Sequence, residues 1–451
     1  MPSFFIQTLG CKLNQLESEA ITDAFSQAGF VLSSQADSSP SVIVINTCTV
    51  TSKADQKARR VIRKALHDYP DSRVLVTGCY AQLAQDELYK LETDGKKRLF
   101  VLKGINKDDI LNLPKYLDNS DINGALKKLT QTQKAEGKER NGIFQFNPSR
   151  FSGHTRSFLK IQDGCNEHCT YCRIRLARGA SVSLDAEEVL SRLRILEQNH
   201  AEAVLTGVNI SQYNGAGING NSAFNLAQLL EYLLSGTEKI AIRLSSLAPD
   251  RIDESLAKIL SHKRIRPHFH LSVQSGSKKI LEKMNRSYNG ETIEKAVSLL
   301  RRAKDDPFLA CDIITGFPGE TTADFEETFN LCKKINFSWI HVFPYSRRPG
   351  TPAYLFTDNV HSAKVTKRVQ LFTDLARQGR ADYVRRWLGR EVDVLIEKAK
   401  TEKFSCRGIS ENYLKTLVRC NGETLPPGTV VRCNLLEEGN FEDFDVVAVG
   451  G

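Results

Sequence analysis

Three cysteines fall within eight residues, in Gly164-Cys165-Asn166-Glu167-His168-Cys169-Thr170-Tyr171-Cys172. With three residues between the first pair and two between the second, the thiols can turn inward from one loop onto a single metal cluster. Three thiolates satisfy three irons of a four-iron cubane and leave the fourth open to a substrate, as a catalytic zinc keeps one position free. A structural zinc is the alternative; loop thiols left free are a state proteins avoid. The chain has eleven cysteines, an odd number. Its start, Met1-Pro2-Ser3-Phe4-Phe5-Ile6-Gln7-Thr8, lacks a basic segment followed by a long apolar one. Metal ligation or buried thiols are therefore expected rather than a disulfide framework, in a cytoplasmic protein.

A chain of 451 residues predicts about three domains, and no apolar run is long enough for a transmembrane helix. From 1 to about 115, strand signals at 3–8, 41–46, 73–77 and 98–101 alternate with helical stretches at 17–28, 54–67 and from 84. That alternation predicts an open parallel α/β sheet covered by helices. Residues 116–152 carry Lys127, Lys128, Lys134, Lys138 and Arg140 with little apolar periodicity, and read as a linker or exposed arm. A second α/β run, with strands at 158–161, 203–207, 241–245, 268–273, 310–315 and 339–343, predicts a partial TIM-like (β/α)6 barrel within 153–386. Beyond a basic helix at 364–386, short strands at 391–397, 413–419, 429–435 and 445–449 predict a small β-barrel over 387–451. The fold class expected is thus α/β multidomain.

Three further cysteines follow strand ends of the first domain: Leu9-Gly10-Cys11-Lys12-Leu13-Asn14, Asn46-Thr47-Cys48-Thr49-Val50-Thr51 and Val76-Thr77-Gly78-Cys79-Tyr80. The carboxyl edge of an open parallel sheet gathers its ligand site, so residues distant in sequence meet there. The first triplet, with Tyr171 before its last cysteine, resembles the radical S-adenosylmethionine superfamily. In that superfamily the cofactor chelates the open iron and is cleaved to a 5′-deoxyadenosyl radical. The two triplets together resemble the methylthiotransferases, which join an N-terminal domain holding an auxiliary four-iron cluster to a radical core and a C-terminal TRAM domain. Gly10 to Gln15, and Thr47 to Thr51 with 53–60 after it, are most similar to the MtaB branch. That branch adds a methylthio group to C2 of N6-threonylcarbamoyladenosine at tRNA position 37.

The resemblance implies two [4Fe–4S] clusters and S-adenosyl-L-methionine as cofactors. Cys165, Cys169 and Cys172 would hold the cluster that cleaves S-adenosylmethionine, and Cys11, Cys48 and Cys79 the one that carries the inserted sulfur. The implied partners are a tRNA anticodon stem-loop, an electron donor and a sulfur source, with no membrane. Cofactor contacts are expected from Tyr171 and from strand ends bearing Thr206, Gly207, Asn209, Ser245, Ser246, Gln274, Ser275 and Gly316, whose hydroxyls, amides and glycine backbone suit such a ligand. One departure stands out: the family's Cys-Ile-Ile-Pro is here Cys172-Arg173-Ile174-Arg175-Leu176, which leaves ligation untouched but puts charge on a wall of the substrate pocket.

Other motifs carry less. His268 and His270, two apart on one strand, read as polar filling of the barrel interior. Cys311, Cys332, Cys406, Cys420 and Cys433 read as packing thiols. From 388 onward eight basic residues face eleven acidic ones, so phosphate contact is expected from Lys364, Lys367, Arg368, Arg377 and Arg380 on the preceding helix. Rival readings are the sibling methylthiotransferases acting on isopentenyladenosine or on a ribosomal-protein aspartate, and a non-catalytic iron–sulfur RNA-binding protein.

Overall fold

A computed structural model of the chain describes residues 2–33, 40–116, 122–131, 141–148, 155–220, 222–399, 405–420 and 425–450. By internal contact the chain divides into two compact units. One comprises Met1–Gly153, Lys160–Val182 and Ser346–Thr351; the other comprises His154–Leu159, Ser183–Tyr345 and Pro352–Gly451.

The first unit is built on a parallel sheet of β1 (Ser3–Thr8), β2 (Val31–Leu32), β3 (Val42–Thr47), β4 (Arg73–Gly78) and β5 (Leu99–Val101), in the order β2-β1-β3-β4-β5. Every side chain of β3 is buried, as a continuous apolar run demands when helices cover both faces. Val42 and Val44 pack with Phe4, Phe25 and Leu75 on one side, while Ile43 and Ile45 pack with Ile62, Leu66 and Val76 on the other. Each such side chain contributes roughly 1.5–3 kcal/mol on burial. Two helices supply those layers: α1 (Lys12–Gln27) and α2 (Ser52–Asp68). A short α3 (Cys79–Leu83) continues directly from β4.

The stretch expected as a linker is partly structured. Residues 122–131 form α4 (Ile122–Gln131), whose Leu126 and Leu129 are buried in the core with Phe100 and Phe146. Its apolar positions three apart are too few to show against the polar background. Lys134, Lys138 and Arg140 lie outside the described residues. Also in this unit is α5 (Ile174–Arg178), one short helix after Cys172.

Among the described residues, the second unit holds strands in two runs. One is β8 (Ala241–Leu244), β7 (Glu202–Thr206) and β6 (Ser157–Lys160); the other is β9 (His268–Gln274), β10 (Phe308–Thr315) and β11 (Trp339–Pro344). A parallel bridge, Leu247 to Leu271, links the runs. Capping boxes at Asn225/Gln228 and Thr321/Asp324 start two of the covering helices. After α6 (Ser362–Trp387) the strands β12 (Glu391–Ala399), β13 (Ser405–Ser410), β14 (Lys415–Arg419), β15 (Val430–Glu438) and β16 (Val446–Gly450) close into a barrel. β13 is not among the expected strands, because Ser405-Cys406-Arg407-Gly408 carries little strand signal.

These units cut across the expected boundaries at 115, 152 and 386. Phe308, Tyr383 and Trp387 share one apolar core with Val394, Leu414 and Val446 of the small barrel, so that barrel belongs with the second unit. Residues 160–182 belong with the first because Lys160 and Arg178 are tied by charge to Glu17.

Candidate metal centre

In the first unit, three neighbouring strands end level with one another. Thr8 is in register with Asn46, and Thr47 with Gly78, so the chain emerges from β1, β3 and β4 at one edge and presents Cys11, Cys48 and Cys79 there. Cys11 occupies the N-cap position of α1 without a side-chain capping bond, and Cys79 opens α3. Two glycines make the approach possible. Gly10 has φ +107°, and a Cβ on it would meet the Cys48 Cβ at 2.5 Å; Gly78 has φ +100°, and a Cβ there would meet the Thr47 carbonyl oxygen at 2.3 Å. Any side chain would push these strand ends apart.

Buried amides lock the edge. Asn14 donates to the carbonyls of Leu9 (2.7 Å) and Thr47 (3.1 Å), and Asn46 donates to the carbonyl of Asn14 (3.0 Å). Beyond Cys48, the Thr49 hydroxyl donates to Asp55 at 2.7 Å and Thr51 caps α2. Arg348, from the segment 346–351, donates to Asp55 (2.6 Å) and to the Thr49 hydroxyl (2.8 Å). Burial pushes the Cys48 thiol up to about 11, so without a metal it is a neutral thiol; ligation must expel its proton.

The second triplet lies in a loop of the same unit. Cys172 N–H donates to the Cys169 carbonyl at 3.1 Å, and the backbone N–H groups of Glu167 and Ile174 approach the sulfurs of Cys165 (3.4 Å) and Cys172 (3.5 Å). Such N–H groups stabilise thiolate character. Arg175, part of the departure after Cys172, donates to the Asn166 carbonyl at 3.1 Å and stands 2.7 Å from His168. It braces the cysteine loop, a role its charge alone did not disclose. Arg173 sits 4.0 Å from Asp55.

Arg178 connects the two constellations. Its Nε donates to Cys79 Sγ at 3.3 Å, and its terminal nitrogens donate to Asp163 (2.9 Å), Glu17 (3.1 Å) and Asn14 (3.0 Å). Asp163 precedes the second triplet by two residues, so this guanidinium touches elements of both. Glu17 also pairs with Lys107 and, at 3.6 Å, with Lys160. Burial alone would raise the Glu17 carboxyl, but Arg178, Lys107 and Lys160 overcome it and hold Glu17 well below the ordinary range. A cavity of about 150 Å³ is lined by Cys79, Arg178, Glu17, Lys107, Lys160 and Asp163 among others. Sequence reasoning missed this network, although a lysine inside the apolar strand Phe158-Leu159-Lys160-Ile161 was a signal for it.

Among the described residues no three His, Cys, Asp or Glu side chains converge as a set for one bare ion. Each triplet is all-sulfur, the donor set of an iron–sulfur cluster, whose ligands bind separate irons rather than one centre. Cys11, Cys48 and Cys79 would hold one such group, and Cys165, Cys169 and Cys172 the other.

In the second unit, Thr206 ends β7 and Gly207 and Asn209 follow it, Ser245 and Ser246 follow β8, and Gln274 ends β9 with φ +64° at a register shift. Two of the expected contact residues also have neighbours within the unit. The Ser275 hydroxyl is buried against Thr328 at 3.1 Å. A Cβ on Gly316 would meet Val365 at 2.5 Å, and its N–H donates to Glu320 at 2.7 Å; the missing side chain makes room for α6. His268 stacks on Tyr413 with ring centres 3.8 Å apart, while His270 lies 3.0 Å from Asp312 beside His341. Cys311 and Cys332 are buried, as are Cys406 and Cys433; the Cys420 sulfur is 3.7 Å from that of Cys406.

Two of the expected RNA-contacting residues also pair internally. Arg368 is buried against Glu320, and Arg380 forms a two-pronged pair with Asp445. Lys364, Lys367 and Arg377 remain exposed.

Comparison with known proteins places this geometry. Residues 3–97 match a family described as uncharacterized protein family UPF0004, and residues 159–332 match the radical SAM superfamily. A threonylcarbamoyladenosine tRNA methylthiotransferase MtaB of Treponema pallidum is 38% identical over 97% of this chain and 99% of its own length. One of the same name from Aquifex aeolicus is 35% identical over 90% and 94%. The chain belongs to the radical SAM methylthiotransferases, in their MtaB branch. Among solved structures, the radical S-adenosylmethionine methyltransferase TsrM of Kitasatospora setae aligns with a TM-score of 0.53 at 16% identity, covering 78% of this chain and 74% of that one. That likeness supports the fold alone. No helix among the described residues is long and apolar enough to cross a membrane.

Proposed function

We propose that the protein transfers a methylthio group to C2 of N6-threonylcarbamoyladenosine at position 37 of tRNA, using S-adenosylmethionine and two [4Fe–4S] clusters. When bound, the cluster at Cys165, Cys169 and Cys172 supplies the electron that cleaves the cofactor, and the one at Cys11, Cys48 and Cys79 presents the sulfur that is methylated and inserted. The observation that carries this reading is the gathering of Cys11, Cys48 and Cys79 at one sheet edge, with Arg178, six residues beyond Cys172, donating to Cys79.

The chain's own residues hold the parts in place. Asn14 and Asn46 fix the strand ends, and Arg178 fixes Cys79 relative to Asp163 at the entrance to the second cysteine loop. In the second unit, Thr206, Gly207, Asn209, Ser245, Ser246 and Gln274 carry hydroxyl, amide and backbone groups suited to the cofactor's polar ends. The base must leave its stack to react, at a cost of a few kcal/mol. An anticodon loop, already single-stranded, reduces that cost. The reaction also draws on an electron donor and a sulfur source, in the cytoplasm where tRNA is available.

Mass spectrometry of tRNA nucleosides from a deletion strain tests the reading. The 2-methylthio form of threonylcarbamoyladenosine should vanish and its unmethylthiolated parent accumulate. Loss of the methylthio group from isopentenyladenosine instead, with the threonylcarbamoyl species intact, would overturn it.

A further inference from the structure

Helix α2 begins four residues after Cys48 and carries Lys53, Lys57, Arg59, Arg60, Arg63 and Lys64. Its apolar side is settled: Ala58, Ile62, Ala65 and Leu66 are in the core. On the opposite side Lys53, Lys57, Arg60 and Lys64 recur at intervals of four, three and four, and all are exposed. That spacing puts them in one row along the helix. The row spans about 16 Å at 1.5 Å per residue.

The acids on this helix do not neutralise the row. Asp55 is buried and engaged by Thr49 and Arg348, while Asp68, at the far end, lies 4.0 Å from Lys64 and 2.9 Å from His67. Glu87 pairs with Arg59, which is off the row. Lys53, Lys57, Arg60 and Arg63 have no ion pair among the described residues. Like charges three and four apart on a helix repel, so the isolated fold gains nothing from this arrangement; a polyanion laid along it would.

We propose that the exposed face of α2 is a docking surface for the phosphodiester backbone of the substrate RNA, with Lys53, Lys57, Arg60 and Lys64 as phosphate contacts. This rests on the tRNA reading above and deepens it. The helix starts beside Cys48, so a strand following the row runs away from the cysteine edge while its end lies near it. Contacts of this kind carry affinity and register rather than base specificity.

The test is binding of a fluorescein-labelled anticodon stem-loop RNA to the full chain, followed by anisotropy over a range of KCl concentrations. In the variant Lys53→Gln/Lys57→Gln/Arg60→Gln/Lys64→Gln, the slope of log K against log salt should shrink by about three, at roughly 0.7–0.9 for each phosphate no longer neutralised. Arg60→Gln alone should shrink it by about one. The charge-keeping set Lys53→Arg/Lys57→Arg/Arg60→Lys/Lys64→Arg should keep the wild-type slope. An unchanged slope in the four-Gln variant with an unchanged Tm, or no RNA affinity in the wild type, overturns the proposal. If the wild type modifies tRNA and the four-Gln variant does so with the same KM, the surface assignment fails while the enzymatic reading stands. Salt-sensitive RNA binding along α2 without methylthiolation is the reverse case.

Discussion

Cys165, Cys169 and Cys172 share one loop, whereas Cys11, Cys48 and Cys79 are delivered by three separate strands and meet only once the sheet has formed. The first set depends on a few local hydrogen bonds. The second depends on strand register, on glycines that let the strand ends close up, and on a buried polar network. A lesion in the N-terminal sheet should therefore empty one site before the other, and Arg178 is the residue through which damage to one would reach its neighbour.

The largest contrast is expected from the ligands themselves. Cys165→Ala should abolish 5′-deoxyadenosine formation while iron remains bound at the N-terminal site. Cys48→Ala should leave cofactor cleavage measurable and stop methylthiolation completely. Product formation by Cys48→Ala would break the division of labour between the triplets.

Next in size is Glu17→Gln. Among the described residues Glu17 is the acid that pairs with Lys107, and it is one of two that meet Arg178 and Lys160, so its loss leaves buried cations short of a partner. Urea denaturation should show a destabilisation of about 3–5 kcal/mol. Iron content should fall at the N-terminal site more than at the loop site; equal loss from both would show that the sheet does not support one triplet selectively.

Arg178→Gln should have a smaller and more specific effect. It removes an N–H donor from Cys79 Sγ, and hydrogen bonds to cluster sulfurs are among the groups that set cluster potentials. In a protein whose Cys165, Cys169 and Cys172 are changed to Ala, an EPR-monitored redox titration should show the remaining cluster shifted to a more negative potential, on the order of tens of millivolts. An unchanged potential and spectrum would reduce Arg178 to a packing role.

The smallest effect concerns acid stability. Glu17 and Asp163 both titrate below their unfolded values: burial opposes this, but Arg178 with Lys160 for both, and Lys107 for Glu17, prevails. Each group's contribution is thus fully present above the unfolded pKa of about 4 and is lost as pH falls below it. The pH dependence of the urea midpoint between pH 5 and 3 should be shallower in Glu17→Gln than in the wild type; an identical slope would mean that Glu17 is not held ionised.

The local features were legible in the chain alone. The loop triplet is a spacing, and Val42 to Ile45 announces a buried strand whatever surrounds it. What escaped was tertiary. α1 starts at Lys12, five residues before its apolar signal, because Cys11 stands where a capping side chain usually would. The basic stretch 364–386 read as available charge, yet Arg368 and Arg380 find Glu320 and Asp445, partners far away in sequence. In α2 a similar density of charge finds few partners, and only the fold separates the two cases. Gly316 and Ser275 likewise sit at strand ends, and their neighbours Val365 and Thr328 come from helices far along the chain.

Iron and acid-labile sulfide quantification on anaerobically purified, full-length protein tests the central claim most directly. Two all-thiolate sites predict about eight iron and eight sulfide per chain, falling to about four of each in the Cys11/Cys48/Cys79→Ala variant. About four of each in the wild type, with no further loss in that variant, would contradict the account.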